Sequence, residues 1–437
     1  MIETWIFATV ALVVMTRTIN AYRAGYWYRH ATSGIIAMLY IAVLAIPGLL
    51  QSRGVLTSKL ADAGVLAPPG KPEIASLLLE WALQLGLVAV VEQLVVAVVR
   101  RHESAQSRRL PHERLDSQTT PFVVGEHYRR SVFTLIGIGA VATLVLPTAD
   151  LTQRGEGGNG LAVLLQGCLL SGVALLVYNR HFGRRHLTGI TLGAAALLIM
   201  GGVRSPLVIL IIAVVLGRLR SSADDRLKLG YIAAGLPLFG VVGAFMSAYR
   251  GNIARGQGLS NAAILSDVLS DPVSAIYGAG IDTLDGYRFS EMVSNQVAAS
   301  LWDFSKIVTT FIPRSVWPTK PPALSVSLSE TFLGYEASGM YLSPVGYLRL
   351  VGGSYTAALV LLVVIVALLV AGLQRYKDGF ASCYILLATF RFFLGGDQFD
   401  FYYVLALAIP VGVVYLALRR RNPNTTTGRR STVGELR

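Results

Sequence analysis

Charged residues and cysteines are both scarce in this chain. Asp, Glu, Lys and Arg make up 14% of the 437 residues and hydrophobic residues make up 53%, whereas charged residues are about 25% of an ordinary soluble domain. The two cysteines, Cys168 and Cys383, both fall inside long apolar runs. A disulfide framework and a thiolate metal site are therefore excluded, and the composition predicts a polytopic membrane protein.

Several kinds of chemistry lack their residues. There is no Gly-x-x-x-x-Gly-Lys-Ser/Thr loop for ATP and no repeated half. On the predicted outer side there is no Asp-x-Asp pair for a sugar-nucleotide metal. All six histidines lie in predicted cytoplasmic connections, so an outer site has no imidazole. Phosphate chemistry on that side would depend on arginine and lysine, without a metal or a cofactor.

Apolar runs long enough to cross about 30 Å of hydrocarbon predict an all-α protein with about eleven transmembrane helices. The first run lacks the basic start and small-residue cleavage site of a signal peptide, so we expect it to be retained. The predicted spans are 2–20, 33–50, 75–99, 131–148, 160–178, 188–202, 205–218, 229–248, 352–373, 380–395 and 399–418.

Positive charge alternates between the connections. Every second loop or tail is rich in Lys and Arg, and together these segments hold 25 of the 38 such residues. Because Lys and Arg accumulate on the cytoplasmic side, the N-terminus is predicted outside and the C-terminus inside. The net charge of +13 is explained by this topology and by contact with anionic lipids, with no nucleic-acid partner. The predicted parts are eight spans in 1–248, an extracytoplasmic loop in 249–351, three spans in 352–418 and a basic tail in 419–437.

The segment Phe311–Pro322 sets Arg314, Trp317 and Lys320 among four prolines in the long outer loop. Proline fixes φ and prevents helix formation, so these side chains project from a stiff backbone. One interpretation is a clamp for a diphosphate. The alternative is a membrane-interface anchor, with the indole at headgroup level and the cations on lipid phosphates.

Further arginines lie on the same predicted side, and guanidinium groups bind phosphate oxygens in pairs without a metal. Candidate bases on that side are Asp282, Asp285, Glu291, Asp303, Glu330, Asp397 and Asp400. Within the third span, Glu80, Gln84 and Glu92 share roughly one helical face, and Glu92 has Arg100 and Arg101 as candidate partners near the cytoplasmic end.

Four elements resemble the oligosaccharide repeat-unit polymerases, the O-antigen polymerase (Wzy-like) family of bacterial envelope and lipopolysaccharide assembly. They are Gly201-Gly-Val-Arg-Ser205, Gly286-Tyr-Arg-Phe289, Ile312-Pro-Arg-Ser-Val-Trp-Pro-Thr-Lys-Pro321 and Gly352-Gly353. The resemblance covers roughly residues 200–360. One departure concerns the end of the loop, where Val345-Gly-Tyr-Leu-Arg349 has no acid in place of a Gly-Glu-x-Tyr-like element.

The resemblance implies transfer of a growing glycan from undecaprenyl diphosphate to the non-reducing end of another lipid-linked repeat unit. It also implies a fold like the metal-independent GT-C-type polyprenyl-dependent glycosyltransferases, in the bacterial inner membrane with the site facing the periplasm. Undecaprenyl diphosphate is the substrate carrier and no cofactor is expected. Expected partners are lipid-linked oligosaccharides, membrane lipids, a chain-length regulator and a flippase.

The candidate site residues are taken from the elements that carry this resemblance and from the charged and aromatic residues on the predicted outer side. Two alternatives stay open, an O-antigen-ligase-like transferase and a transporter or flippase of lipid-linked oligosaccharides, although a transporter would normally show repeated halves. The catalytic candidates are Arg314, Arg204, Arg250 and Glu291. The substrate-binding candidates are Arg255, Arg288, Lys320, Trp317, Tyr249 and Arg349.

Overall fold

A computed structural model gives the fold, and every regular element in the part of the chain it describes is helical. The described residues are 2–109, 126–145, 160–179, 184–200, 207, 209–215, 240–245, 248–249, 252, 258–279, 283–294, 296, 317, 319, 324–334, 342–376, 380–395, 404 and 408–420. The helices are α1 (Ile2–Arg23), α2 (Ala31–Gln51), α3 (Lys59–Asp62), α4 (Lys71–Arg109), α5 (Glu126–Val145), α6 (Gly160–Asn179), α7 (Arg184–Met200), α8 (Asn261–Ser270), α9 (Pro272–Ala279), α10 (Thr283–Val293), α11 (Leu324–Leu333), α12 (Pro344–Gly352), α13 (Tyr355–Arg375), α14 (Phe380–Gly395) and α15 (Ala408–Arg420).

Four of these helices are long and apolar enough to cross a membrane: α1, α2, α13 and the Lys71–His102 part of α4. Gly167–Leu176, Thr188–Leu197 and Ala381–Gly395 are shorter apolar helices. Apolar membrane-length helices are thus confirmed. The full count of eleven spans stays a prediction, as do the division into four parts and the orientation in the membrane.

Helix α4 shows the surface that a membrane helix needs. Leu83, Leu94 and Val98 are each about 60% exposed along one stripe, while the opposite side buries Trp81 and Leu85 completely. An exposed apolar stripe is costly in water but is the normal lipid-facing side of a transmembrane helix. Helices α1, α2 and α13 pack on the buried side of α4.

Helix α2 changes its winding midway. Residues Tyr40–Ala45 form a π-helical turn, and Pro47 lies two residues beyond its end. Proline has no backbone N–H and disrupts the regular α-helical ladder, so a wider turn before it accommodates the ring. Tyr40, the first residue of this turn, lies inside the bundle, 1% exposed, and its hydroxyl reaches α4.

The end of α4 near Glu92 is fixed by a polar cluster. The Glu92 carboxylate is fully buried and accepts hydrogen bonds from the Ser33 backbone N–H at 3.2 Å and from the Ser33 hydroxyl. His30 lies 3.3 Å from the same carboxylate. These contacts correct the predicted pairing of Glu92 with Arg100 or Arg101, because α2 supplies nearer donors across the bundle.

The outer loop of the prediction contains folded elements. The apolar stretch Ile264–Leu269 lies within α8. Helix α10 packs against α12, and α12 packs against α13. The contact between α10 and α12 is close, because a Cβ on Gly346 would overlap the Ser290 hydroxyl. Both helices lie at the end of α4 opposite Glu92, and this end carries the candidate site.

Candidate functional site in the N-terminal half of helix α4

A hydrogen-bonded network surrounds the Glu80 carboxylate on α4. The Tyr287 hydroxyl, from α10, donates to Glu80. Gln84, one turn further along α4, donates from its amide to the Tyr287 hydroxyl at 3.2 Å and to the Tyr355 hydroxyl at 3.3 Å. Three helices that are distant in sequence therefore place a carboxylate, an amide and two phenols within one hydrogen-bonded group.

Tyr40, on α2, fixes the orientation of the Gln84 side chain in this network. Its hydroxyl donates to the Gln84 side-chain oxygen at 2.9 Å. Because that oxygen is occupied, the amide nitrogen of Gln84 must face Tyr287 and Tyr355. Burial, together with the neighbouring Glu80 charge, raises the pKa of Tyr287 well above its ordinary value. The Tyr287 hydroxyl thus stays protonated and keeps donating to Glu80.

An ion pair stands beside the network. The Arg349 guanidinium lies 3.1 Å from the Glu291 carboxylate and 6.0 Å from the centre of the Tyr355 ring. The Arg349 side chain is 21% exposed and that of Glu291 is 49% exposed. A pair this open contributes little to stability. The Arg349 guanidinium, held by Glu291, still has further N–H donors for a polar ligand that approaches the network.

Arg288 is buried on a different side of α10. Its Nε donates to Glu73 at 2.7 Å, and a terminal nitrogen donates to the Ala67 carbonyl at 2.7 Å. The Arg288 side chain is only 5% exposed. These contacts connect α10 to the segment that leads into α4 and to the first turn of α4. The Arg288 side chain is therefore engaged in holding these elements together.

Asp285 is buried as well. Its carboxylate accepts from the Ser58 hydroxyl at 2.9 Å and from the Gln51 amide at 3.3 Å. Asp285 is 3% exposed. The candidate base Asp285 therefore lies where α10 packs against α2 and α3, and a substrate has no direct access to it.

Of the ten predicted site residues, five lie in the described part of the chain. Glu291 and Arg349 are brought together, whereas Arg288 lies in the Glu73 contact. Trp317 donates its indole N–H to the Thr319 hydroxyl at 3.0 Å, and Tyr249 stacks on Phe245 with ring centres 6.2 Å apart. The predicted residues outside the described part of the chain are Arg204, Arg250, Arg255, Arg314 and Lys320.

None of the five members of the network was among the predicted site residues, and the three tyrosines, Tyr40, Tyr287 and Tyr355, were not singled out as individual residues. Glu80 and Gln84 were recognised only as polar residues on one face of a span. An ionisable residue inside a transmembrane helix is by default a functional hypothesis, and that signal pointed to Glu80. The tyrosines carry no such signal, because a tyrosine side chain is neutral and most often packs as an aromatic residue.

The network contains oxygen and nitrogen donors and acceptors that suit hydroxyl groups. Within the described ranges, no group of three His, Cys, Asp or Glu side chains is placed to hold a metal ion. Comparison of the chain with protein-family models, with curated proteins and with solved structures finds no match.

Proposed function

We propose that this protein is a membrane glycan polymerase. It transfers a growing oligosaccharide from undecaprenyl diphosphate to the non-reducing end of another lipid-linked repeat unit, for O-antigen or a related surface polysaccharide. The proposal includes eleven spans, the loop 249–351 on the periplasmic side of the bacterial inner membrane, and a GT-C-type arrangement. Its sequence support is the set of elements between residues 200 and 360 that resemble the polymerase family.

The structural observation that best supports the proposal is the shared origin of the network. Spans α2, α4 and α13 supply Tyr40, Glu80, Gln84 and Tyr355, while the loop helix α10 supplies Tyr287. Sugar hydroxyls are bound by carboxylates, amides and phenols such as these. A site built jointly by membrane helices and a loop suits a substrate that has a lipid tail and a glycan head.

The predicted cations supply the other half of the reaction. As the bond to the lipid diphosphate breaks, negative charge develops on the leaving group, and fixed cations directed at it stabilise the transition state. In the proposal Arg314, Arg204 and Arg250 serve this purpose, with Arg255 and Lys320 binding the diphosphate. No metal is required, because guanidinium groups grip phosphate oxygens in a planar fork.

Replacement of Arg314 tests this assignment. In purified protein supplied with lipid-linked repeat units and a chelator, Arg314→Ala should lower the polymerisation rate by about 10²–10³-fold. Arg314→Lys should fail almost as badly, because an ammonium keeps the charge and loses the fork. Arg101→Ala, an exposed arginine near the other end of α4, is the matched control and should polymerise normally.

Other outcomes point to other functions. A ligase would leave lipid-linked repeat units unpolymerised and would transfer glycan only to a different acceptor. A transporter would make no polymer in detergent, whatever residue stands at position 314. If Arg314→Ala polymerises at the wild-type rate, Arg314 is not part of the mechanism and the proline-framed segment is an interface anchor.

A further inference from the structure

The Glu80 network lies at a boundary of the bundle. Glu80 itself is partly buried, while Leu79 and Leu83 beside it on α4 are 47% and 59% exposed. Tyr355 begins α13, which packs on α4, and Val360 one turn further along is 59% exposed. The carboxylate therefore stands where the interior meets the lipid-facing surface, a position that a lipid-linked sugar reaches from the membrane.

Three acidic side chains near this end of α4 differ in what they can do. The carboxylate of Glu291 is already paired with Arg349, and that of Asp285 is enclosed by Ser58 and Gln51. Glu80 receives hydrogen bonds from two neutral donors, the Tyr287 phenol and, at 3.5 Å, the Gln84 amide, and no salt bridge to it is among the described contacts. A neutral donor orients a carboxylate without cancelling its charge, which suits a group that must accept a proton.

On the basis of the proposed function, we infer that Glu80 is the base that accepts the proton of the acceptor sugar. The acceptor O–H bond breaks and its proton moves to the Glu80 carboxylate. The freed oxygen forms a bond to the anomeric carbon of the donor glycan. The bond from that carbon to the diphosphate breaks, and its electron pair leaves with undecaprenyl diphosphate.

The surrounding residues position this base. Tyr287 holds one carboxylate oxygen, and Gln84, oriented by Tyr40, holds the Tyr287 and Tyr355 hydroxyls in place. The Tyr355 ring lies on the side of the network that faces the ion pair of Arg349 and Glu291. In this arrangement Glu291 positions Arg349, and the proton transfer belongs to Glu80.

The test is a Glu80→Gln substitution in the full-length protein, assayed with lipid-linked repeat units. Glutamine keeps an oxygen for Tyr287 and cannot accept the proton, so the rate should fall by about 10²–10⁴-fold. Binding of the lipid-linked substrate should change by only a few-fold. The wild-type rate should fall at acidic pH, and this fall should be absent from the residual activity of Glu80→Gln. Asp267→Asn, an exposed carboxylate on α8, is the matched control and should retain the wild-type rate and pH profile.

A second variant separates a base from a structural role. Glu80→Ala leaves space at the carboxylate, so added formate should restore part of the polymerisation if a proton acceptor is what was lost. The inference is overturned if Glu80→Gln polymerises at the wild-type rate. It is also overturned if the residual activity of Glu80→Gln falls at acidic pH as in the wild type and Glu80→Ala gains nothing from formate. In those cases the wild type still makes polymer and the proposed function stands. A wild type that makes no polymer refutes the proposed function itself.

Discussion

The contact between α10 and α12 should not tolerate a side chain at position 346. A Cβ built on Gly346 lies 3.0 Å from the Ser290 Cβ and 3.1 Å from the Ser343 hydroxyl, and it overlaps the Ser290 hydroxyl. Rotation of Ser290 relieves the overlap with its oxygen and leaves the short distance between the two Cβ atoms. Gly346→Ala must therefore move α12 away from α10.

The expected cost follows from two opposing effects. Overpacking in a well-packed core costs about 1–3 kcal/mol, while replacing glycine by alanine inside a helix gains up to about 1 kcal/mol. The free energy of unfolding should thus fall by about 1–2 kcal/mol. Gly86 on α4 is the matched control, because a Cβ there would meet nothing within 4 Å, and Gly86→Ala should leave stability equal or higher.

Unfolding by SDS titration in mixed micelles measures both variants. A double variant, Gly346→Ala with Ser290→Gly, removes the obstructing side chain and should recover part of the loss. Polymerisation should fall with Gly346→Ala as well, since Glu291 and Arg349 stand one turn or less from the contact. If Gly346→Ala is as stable as Gly86→Ala, the close approach of the two helices is wrong.

Two further predictions concern the anchoring of α10 and the sidedness of the loop. Arg288→Ala should lower the free energy of unfolding by about 2–3 kcal/mol, because it removes charged hydrogen bonds to Glu73 and to the Ala67 carbonyl. Glu73→Gln should lower it less, because the Glu73 side chain is 43% exposed. Equal stability of Arg288→Ala and the wild type in SDS titration would contradict the contact. Ser270 lies at the exposed end of α8, and Ser270→Cys should react with an impermeant maleimide added outside intact cells. The native Cys168 and Cys383 are buried in the protein. Labelling only after the inner face is exposed would place the loop on the wrong side for the proposed function.

The membrane helices were the most predictable part of the fold. Predicted spans 33–50, 352–373 and 380–395 lie within a few residues of α2, α13 and α14, because a long apolar run leaves few alternatives to a helix. The predicted span 75–99 is shorter than α4, which continues to Arg109. Hydropathy reports the apolar part of a helix, and the polar turns beyond it carry no such signal.

The site was less predictable, since its members meet only in three dimensions. Glu80 and Tyr287 are separated by 207 positions in sequence, and Gln84 and Tyr355 by 271. Sequence patterns report neighbours along one helix, which is why Glu80 and Gln84 were grouped and the tyrosines were not. Arg288 is the opposite case, a predicted site residue that is not part of the network. It lies in the predicted outer loop, but its side chain is directed at Glu73.

The most direct measurement of the central claim uses the purified protein and one substrate. The protein is reconstituted with undecaprenyl-diphosphate-linked repeat units, and the products are resolved by mass. The proposed function predicts a series of glycans at whole multiples of the repeat unit, with one undecaprenyl diphosphate released for each bond formed. Recovery of the starting repeat units alone, with no released undecaprenyl diphosphate, would contradict it.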